Sequence, residues 1–157
     1  MKNRDLYVSL KMQIKKTKLA IIAGGGDLVL STIKSCNRQN ISFFLIGIKD
    51  HYNNQMHPPD INLSLNNIGN IFSILKNEKI LNIVFIGSIK KPYLTKLRPN
   101  FITIYYILLI ILYYFRGDDK LLTKIYNIFL KKGFKVLDVR TLLKRNIANN
   151  KYNNLKN

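Results

Sequence analysis

A three-layer α/β domain with a mainly parallel sheet is the fold that this 157-residue sequence predicts. Short apolar runs alternate with segments of helical spacing, and the first of those runs ends in three consecutive glycines, Gly24 to Gly26. Runs that are apolar throughout suit strands buried on both faces, as in a parallel sheet covered by helices. Hydrophobic residues make up 47% of the chain, enough for a core, and the length fits one compact domain.

The elements follow in order. Residues 1–16 are basic and poorly patterned, and are expected to form an extension ahead of a domain spanning 17–145. Leu19 to Ala23 predicts the first strand, and Asp27 to Gln39 a helix with Leu28, Leu30, Ile33 and Cys36 at helical spacing. Ile41 to Ile48, rich in aromatic and β-branched side chains, predicts the second strand. Lys49 to Asp60 holds two His and two Pro and is expected as a loop. Ile61 to Leu65 alternates apolar and polar residues as a short strand does. Asn66 or Asn67 is then expected to cap a helix carrying Ile68, Ile71, Phe72, Leu75 and Lys79. Ile83 to Ile86, ending at Gly87, predicts a further buried strand.

From Asn100 to Arg116 a helix is expected. Its uncharged part, Phe101 to Phe115, would be about 22 Å long at ~1.5 Å per residue, short of a hydrocarbon core of about 30 Å. A buried helix is the better fit, although the missing polar face leaves contact with a bilayer or a partner open. Asp118 or Asp119 then caps a helix with Leu121, Leu122, Ile125, Ile128 and Phe129 on one face, closed by Lys131, Lys132 and Gly133. Phe134 to Val139 predicts the last strand. Residues 146–157 turn to Asn and Lys and are expected to be disordered.

The formal net charge of +18 fits a polyanionic partner, or equally a codon bias toward Lys, Asn, Ile and Tyr. No nucleic-acid-binding motif accompanies it, so nucleic acid is not an expected partner. A single cysteine, Cys36, excludes an internal disulfide. The apolar run at 19–23 is too short for a secretory signal.

Three segments could carry chemistry. The Gly24, Gly25, Gly26 turn sits between strand and helix, where backbone amides and the helix dipole favour phosphate. Gly24 and Gly26 match part of a dinucleotide-binding pattern, with Asp50 near the ribose-binding position, but Val29 stands where the third glycine belongs. A phosphate or nucleotide site, a nicotinamide site and a structural turn all remain open. In GSIKKPYLTKLRP, Gly87 to Pro99, the residues Ser88, Lys90, Lys91, Lys96 and Arg98 could hold a diphosphate or form a solvated basic loop. Asp118 and Asp119 of RGDD could bind a hard cation or cap the helix that follows. His51 and His57 lack a matching set of metal ligands.

Taken in order, IAGGG (22–26), LNNIGNIFSILKNEKI (65–80), IVFIGSIKKP (83–92), LRPN (97–100) and RGDDKLL (116–122) resemble the N-terminal domain of the LpxI family. These are UDP-2,3-diacylglucosamine diphosphatases of lipid A synthesis. The resemblance implies a Rossmann-like domain and a cytoplasmic enzyme peripheral to the bacterial inner membrane. It also implies hydrolysis of UDP-linked diacylated glucosamine to UMP and 2,3-diacylglucosamine 1-phosphate, with a divalent cation, Mg²⁺ or Mn²⁺. Gly24, Gly25, Gly26, Gly87, Ser88, Lys90, Lys91 and Arg98 are then expected to bind substrate, and Asp118 and Asp119 the cation; no catalytic residue is assigned. Asn100 stands where relatives carry Asp, and the second domain of the family, with its carboxylate for hydrolysis, is not in this sequence. The expectation is therefore a truncated or split member, needing a separately encoded C-terminal domain and capable of forming a homodimer. A non-catalytic nucleotide or anionic-lipid binding module is the alternative, and an NAD-linked enzyme is disfavoured by Val29.

Overall fold

The computed structural model describes residues 17–55, 57–89, 120–140 and 142–143. Strand β1 (Leu19–Ala23) leads into helix α1 (Asp27–Arg38), and β2 (Phe43–Ile48) is followed by the short β3 (Ile61–Leu63). A 3-10 turn, Leu65–Asn70, runs into α2 (Ile71–Asn77), and β4 (Asn82–Ile86) follows. Helix α3 (Lys120–Lys131) and β5 (Lys135–Val136) complete the described elements. The five strands form one sheet in the order β3-β2-β1-β4-β5, parallel at every pairing. This is the Rossmann-like α/β architecture that the alternating pattern predicts.

The period of two along β1 divides its side chains between two cores. Leu19, Ile21 and Ala23 pack with Val29, Ile33 and Cys36 of α1. Ala20 and Ile22 face the opposite way, toward Ile71, Phe72 and Leu75 of α2 and Phe129 of α3. All five β1 residues are buried, which explains the unbroken apolar run at the centre of the sheet. Phe129 joins the second layer together, its ring 4.9 Å from Phe72 and 5.1 Å from Phe85.

Several boundaries differ from expectation, each for a local reason. The second strand starts at Phe43 rather than Ile41, because Asn40 takes a φ of 52° and the Ile41 amide donates back to the Cys36 carbonyl. That left-handed residue ends α1 and spends Ile41 on the helix terminus. The same device ends α2 before Lys79, whose φ is 54°, with the Ile80 amide donating to Leu75. Neither Asn66 nor Asn67 is the cap: the Ser64 hydroxyl accepts from the Asn66 amide and opens the 3-10 turn one residue after β3.

The last strand is only Lys135–Val136, not Phe134 to Val139. Asp138 turns the chain by accepting from the Arg140 amide at 2.8 Å. Leu142 then lands on the α1 side of the sheet, buried, its carbonyl accepting from Ser35 Oγ at 2.7 Å and Gln39 Nε2 at 2.9 Å. The expected 1–16 extension, the 101–115 helix and the 146–157 tail lie outside the described residues. Among the described residues no helix is long and apolar enough to cross a membrane.

Candidate functional site at the β1–β4 switch point

Strand order reverses between β1 and β4: from β1 the chain moves outward through β2 and β3, then returns to place β4 on the other side. In open parallel sheets the crevice for ligands opens at such a point, beyond the carboxyl ends of the strands. Gly24, Gly25 and Gly26 follow β1 there, and Gly87 and Ser88 follow β4. Register pairing sets Ala23 beside Ile86, so the two glycine turns leave the sheet side by side.

The turns are tied together by backbone. The Gly24 amide donates to the Ile86 carbonyl at 2.9 Å, and Gly25 and Ser88 exchange a reciprocal pair of amide–carbonyl bonds, both 2.8 Å. Such closeness requires glycine. A Cβ on Gly24 would collide with the Ser88 carbonyl oxygen and lie 2.9 Å from its carbonyl carbon. Gly87, at φ 86°, leaves room for Val29, whose Cγ2 would be 3.1 Å from a Cβ at that position. Close helix–strand packing is therefore achieved with Val29 on the helix and glycine on the facing strand end, the reverse of the usual dinucleotide pattern.

This pairing also decides which amides remain for a ligand. Those of Gly24 and Gly25 are spent on Ile86 and Ser88. The amides of Gly26, Asp27 and Leu28 have no acceptor among the described residues. They lie at the first turn of α1, where unpaired N–H groups and the helix dipole favour an anion. Gly26 holds φ 112° and ψ 158°, a conformation essentially confined to glycine, with no atom within 4 Å of a built Cβ.

The turn after β2, at the start of the expected 49–60 loop, forms a third wall. Ile48 accepts from the amides of His51 at 3.1 Å and Tyr52 at 2.8 Å, and Asp50 takes a φ of 67° between them. The His51 carbonyl oxygen comes within 3.0 Å of where a Gly25 Cβ would be, and the Tyr52 ring lies against Gly47. Tyr52 Oη donates to the His57 carbonyl at 2.7 Å, anchoring the loop behind the turn.

The structure thus brings Gly24, Gly25, Gly26, Gly87 and Ser88 together at one crevice. Lys90, Lys91, Arg98, Asp118 and Asp119 lie outside the described residues. Among the described residues no three His, Cys, Asp or Glu side chains are grouped to hold a metal ion.

Comparison with known proteins bears on this arrangement. The profile of the LpxI N-terminal domain matches residues 18–146. The UDP-2,3-diacylglucosamine pyrophosphatase LpxI of Caulobacter vibrioides is 26% identical over 120 residues. That alignment covers 76% of this chain and 43% of the relative, so the chain matches less than half of that protein's length. A solved structure, the Bordetella bronchiseptica enzyme WbmG in complex with NAD and UDP, overlaps at 18% identity and a TM-score of 0.38. The overlap covers 47% of this chain and 26% of that one. Matched over residues 18–146, the chain belongs to the LpxI family by its N-terminal domain.

Proposed function

We propose that this chain supplies the headgroup-binding domain for hydrolysis of UDP-2,3-diacylglucosamine to UMP and 2,3-diacylglucosamine 1-phosphate in lipid A synthesis. The reading is carried by the switch-point crevice, where the Gly24–Gly26 turn is hydrogen-bonded to Gly87–Ser88 in a chain with an LpxI N-terminal domain. The free amides of Gly26, Asp27 and Leu28 are suited to phosphate oxygens. Lys90, Lys91 and Arg98, which follow Ser88 in sequence, would add the positive charge that a diphosphate under attack by water requires.

The enzyme would work on the cytoplasmic face of the inner membrane, where its substrate's acyl chains reside. A divalent cation, Mg²⁺ or Mn²⁺, would rest on Asp118 and Asp119, adjacent carboxylates whose oxygens suit a hard cation. The remainder of the family's machinery, beyond the N-terminal domain, would complete catalysis.

Two measurements on the purified chain test this. UDP-2,3-diacylglucosamine in mixed micelles should perturb the amide resonances of Gly26, Asp27, Leu28 and Ser88. Release of UMP with Mg²⁺ or Mn²⁺ should require the complementary domain. Absence of binding refutes the headgroup assignment, and robust turnover by the chain alone refutes the division of labour.

A further inference from the structure

We infer that the β4 flank of the crevice is an apolar subsite, where the side chains of Leu28 and Ile89 contact the first methylenes of the acyl chains that the substrate carries beside its headgroup. The inference rests on the function proposed above and adds two specificity-determining side chains to it.

Exposure singles the two out. Among the described residues five large hydrophobic side chains are exposed. Tyr126 and Leu130 lie on α3, and Leu81 lies at the opposite end of the sheet, just before β4. Leu28, 48% exposed, and Ile89, 52% exposed, are the two that belong to the crevice. Leu28 is the second residue of α1, and Ile89 directly follows Ser88, whose backbone is bonded to Gly25. A single exposed apolar side chain needs no explanation, whereas a pair beside a crevice forms part of its lining.

Helix geometry sets both on the same flank. Residues three and four apart share a helix face, and Leu28, Thr32, Ser35 and Gln39 form such a stripe along α1. Thr32 and Ser35 are buried, and Thr32 Oγ1 donates to the Leu28 carbonyl at 2.9 Å. Ser35 and Gln39 both donate to the Leu142 carbonyl, on the segment that follows β5, so the stripe is turned toward the β4 and β5 side of the sheet. Val29, the neighbour of Leu28, meets Gly87 at the end of β4. The face that is covered at Thr32 and Ser35 emerges at Leu28, where α1 passes the carboxyl end of the sheet. Helical side chains lean toward the helix N-terminus, which carries Leu28 toward the crevice.

Chemistry selects the occupant. The β2 flank is polar, with Lys49 and Asp50 exposed after the strand, while the β4 flank offers aliphatic surface. A ligand with a charged headgroup and two acyl chains uses both. Hydrocarbon leaving water for an apolar flank gains in proportion to the area covered, and Leu and Ile bring no polar atom that would need a partner. Each has about half its surface left to cover. Together they amount to about one fully buried aliphatic side chain, worth roughly tenfold or more in affinity.

The test is a titration of the purified chain with UDP-N-acetylglucosamine and with a short-chain UDP-2,3-diacylglucosamine kept below its aggregation concentration. The ratio of the two affinities is the acyl preference. In the parent it should be about tenfold or more, and in Leu28→Gln with Ile89→Gln about threefold or less. Tyr126→Gln with Leu130→Gln, which removes exposed apolar surface from α3 instead, should keep the parent ratio. The crevice variant should melt within about 4 °C of the parent, as for exposed positions. A larger drop means that the chain itself covers the pair, and overturns the inference. So does a parent without acyl preference, a preference that survives in the crevice variant, or an equal loss in the α3 variant, which is adhesion of acyl chains to any apolar surface. Failure of the parent to bind either ligand overturns it together with the headgroup assignment.

Discussion

Replacing Gly24 by Ala tests whether the two glycine turns are joined as tightly as their geometry indicates. Gly24 is not among the residues of positive φ, so Ala meets no dihedral penalty there, and a less flexible unfolded chain would stabilise the variant by about 0.4–1 kcal/mol. Against this, the new methyl collides with the Ser88 carbonyl, which is backbone held by its own bonds to Gly25. Relief requires separating the turns, which forfeits the two 2.8 Å bonds at about 1 kcal/mol each. Keeping them costs about 1–3 kcal/mol of overpacking. Either way the net loss is about 1–2 kcal/mol, which at a urea slope of roughly 1.5 kcal/mol/M lowers the unfolding midpoint by about 1 M. Hydrogen exchange adds a local readout, because the Gly25 and Ser88 amides should lose protection. Gly26→Ala is the contrast: its strain of about 1–3 kcal/mol comes from φ alone, in open space, and should leave the Gly25–Ser88 pair protected. A Gly24→Ala midpoint within about 0.3 M of the parent, with exchange unchanged, would falsify the account of the crevice as a tightly packed backbone junction.

Other consequences are independent of that junction. Ser35→Ala removes the buried bond to the Leu142 carbonyl but leaves Gln39 as donor, so a loss of about 1 kcal/mol, seen as a melting point roughly 2–4 °C lower, is expected. Burial pushes the Cys36 thiol pKa up to about 11. The native chain should therefore resist thiol reagents at pH 8 and react only on unfolding. Because the folded state holds that proton more tightly, this contribution to stability is complete below the ordinary thiol range and falls as pH rises toward about 11; urea midpoints across that interval measure it. Lys90→Glu with Lys91→Glu should abolish binding of UDP-2,3-diacylglucosamine by charge reversal, and unchanged affinity in the micelle titration would remove both lysines from the headgroup assignment.

The sheet was legible because burial on both faces leaves a direct mark. The limits of β1, Leu19–Ala23, coincide with its apolar run, and β4 and α1 fall within a residue of expectation. The errors concentrate where long-range or backbone factors decide. Phe134 to Val139 has strand-like composition, yet only Lys135 and Val136 pair with β4 before the chain turns away to bury Leu142 against α1. Ile41 and Lys79 fit apolar or helical spacing but belong to left-handed helix endings, which depend on φ rather than on side-chain type. Ser64 was masked as a cap by the two asparagines after it. At the site, the glycines marked the turn between β1 and α1 correctly. Their partner could not be read, because Gly25 and Ser88 are far apart in sequence and no periodicity links them.

That long-range pairing changes what the glycine run does. Had the amides of Gly24 and Gly25 been free, the turn itself would be suited to phosphate; since they are bound to Ile86 and Ser88, the first two glycines fasten the crevice and the third leads into α1. The charges follow the same division. Asp60 accepts the Leu45 amide, Glu78 pairs with Lys18 and Asp138 with Arg140, so these carboxylates are engaged elsewhere. The two described carboxylates without such partners, Asp27 and Asp50, stand at the crevice in a chain of net charge +18. A carboxylate beside an anion site weakens it unless it serves another part of the ligand. In the function proposed above, neutralisation of the diphosphate would therefore fall to backbone amides and to the basic residues that follow Ser88 in sequence.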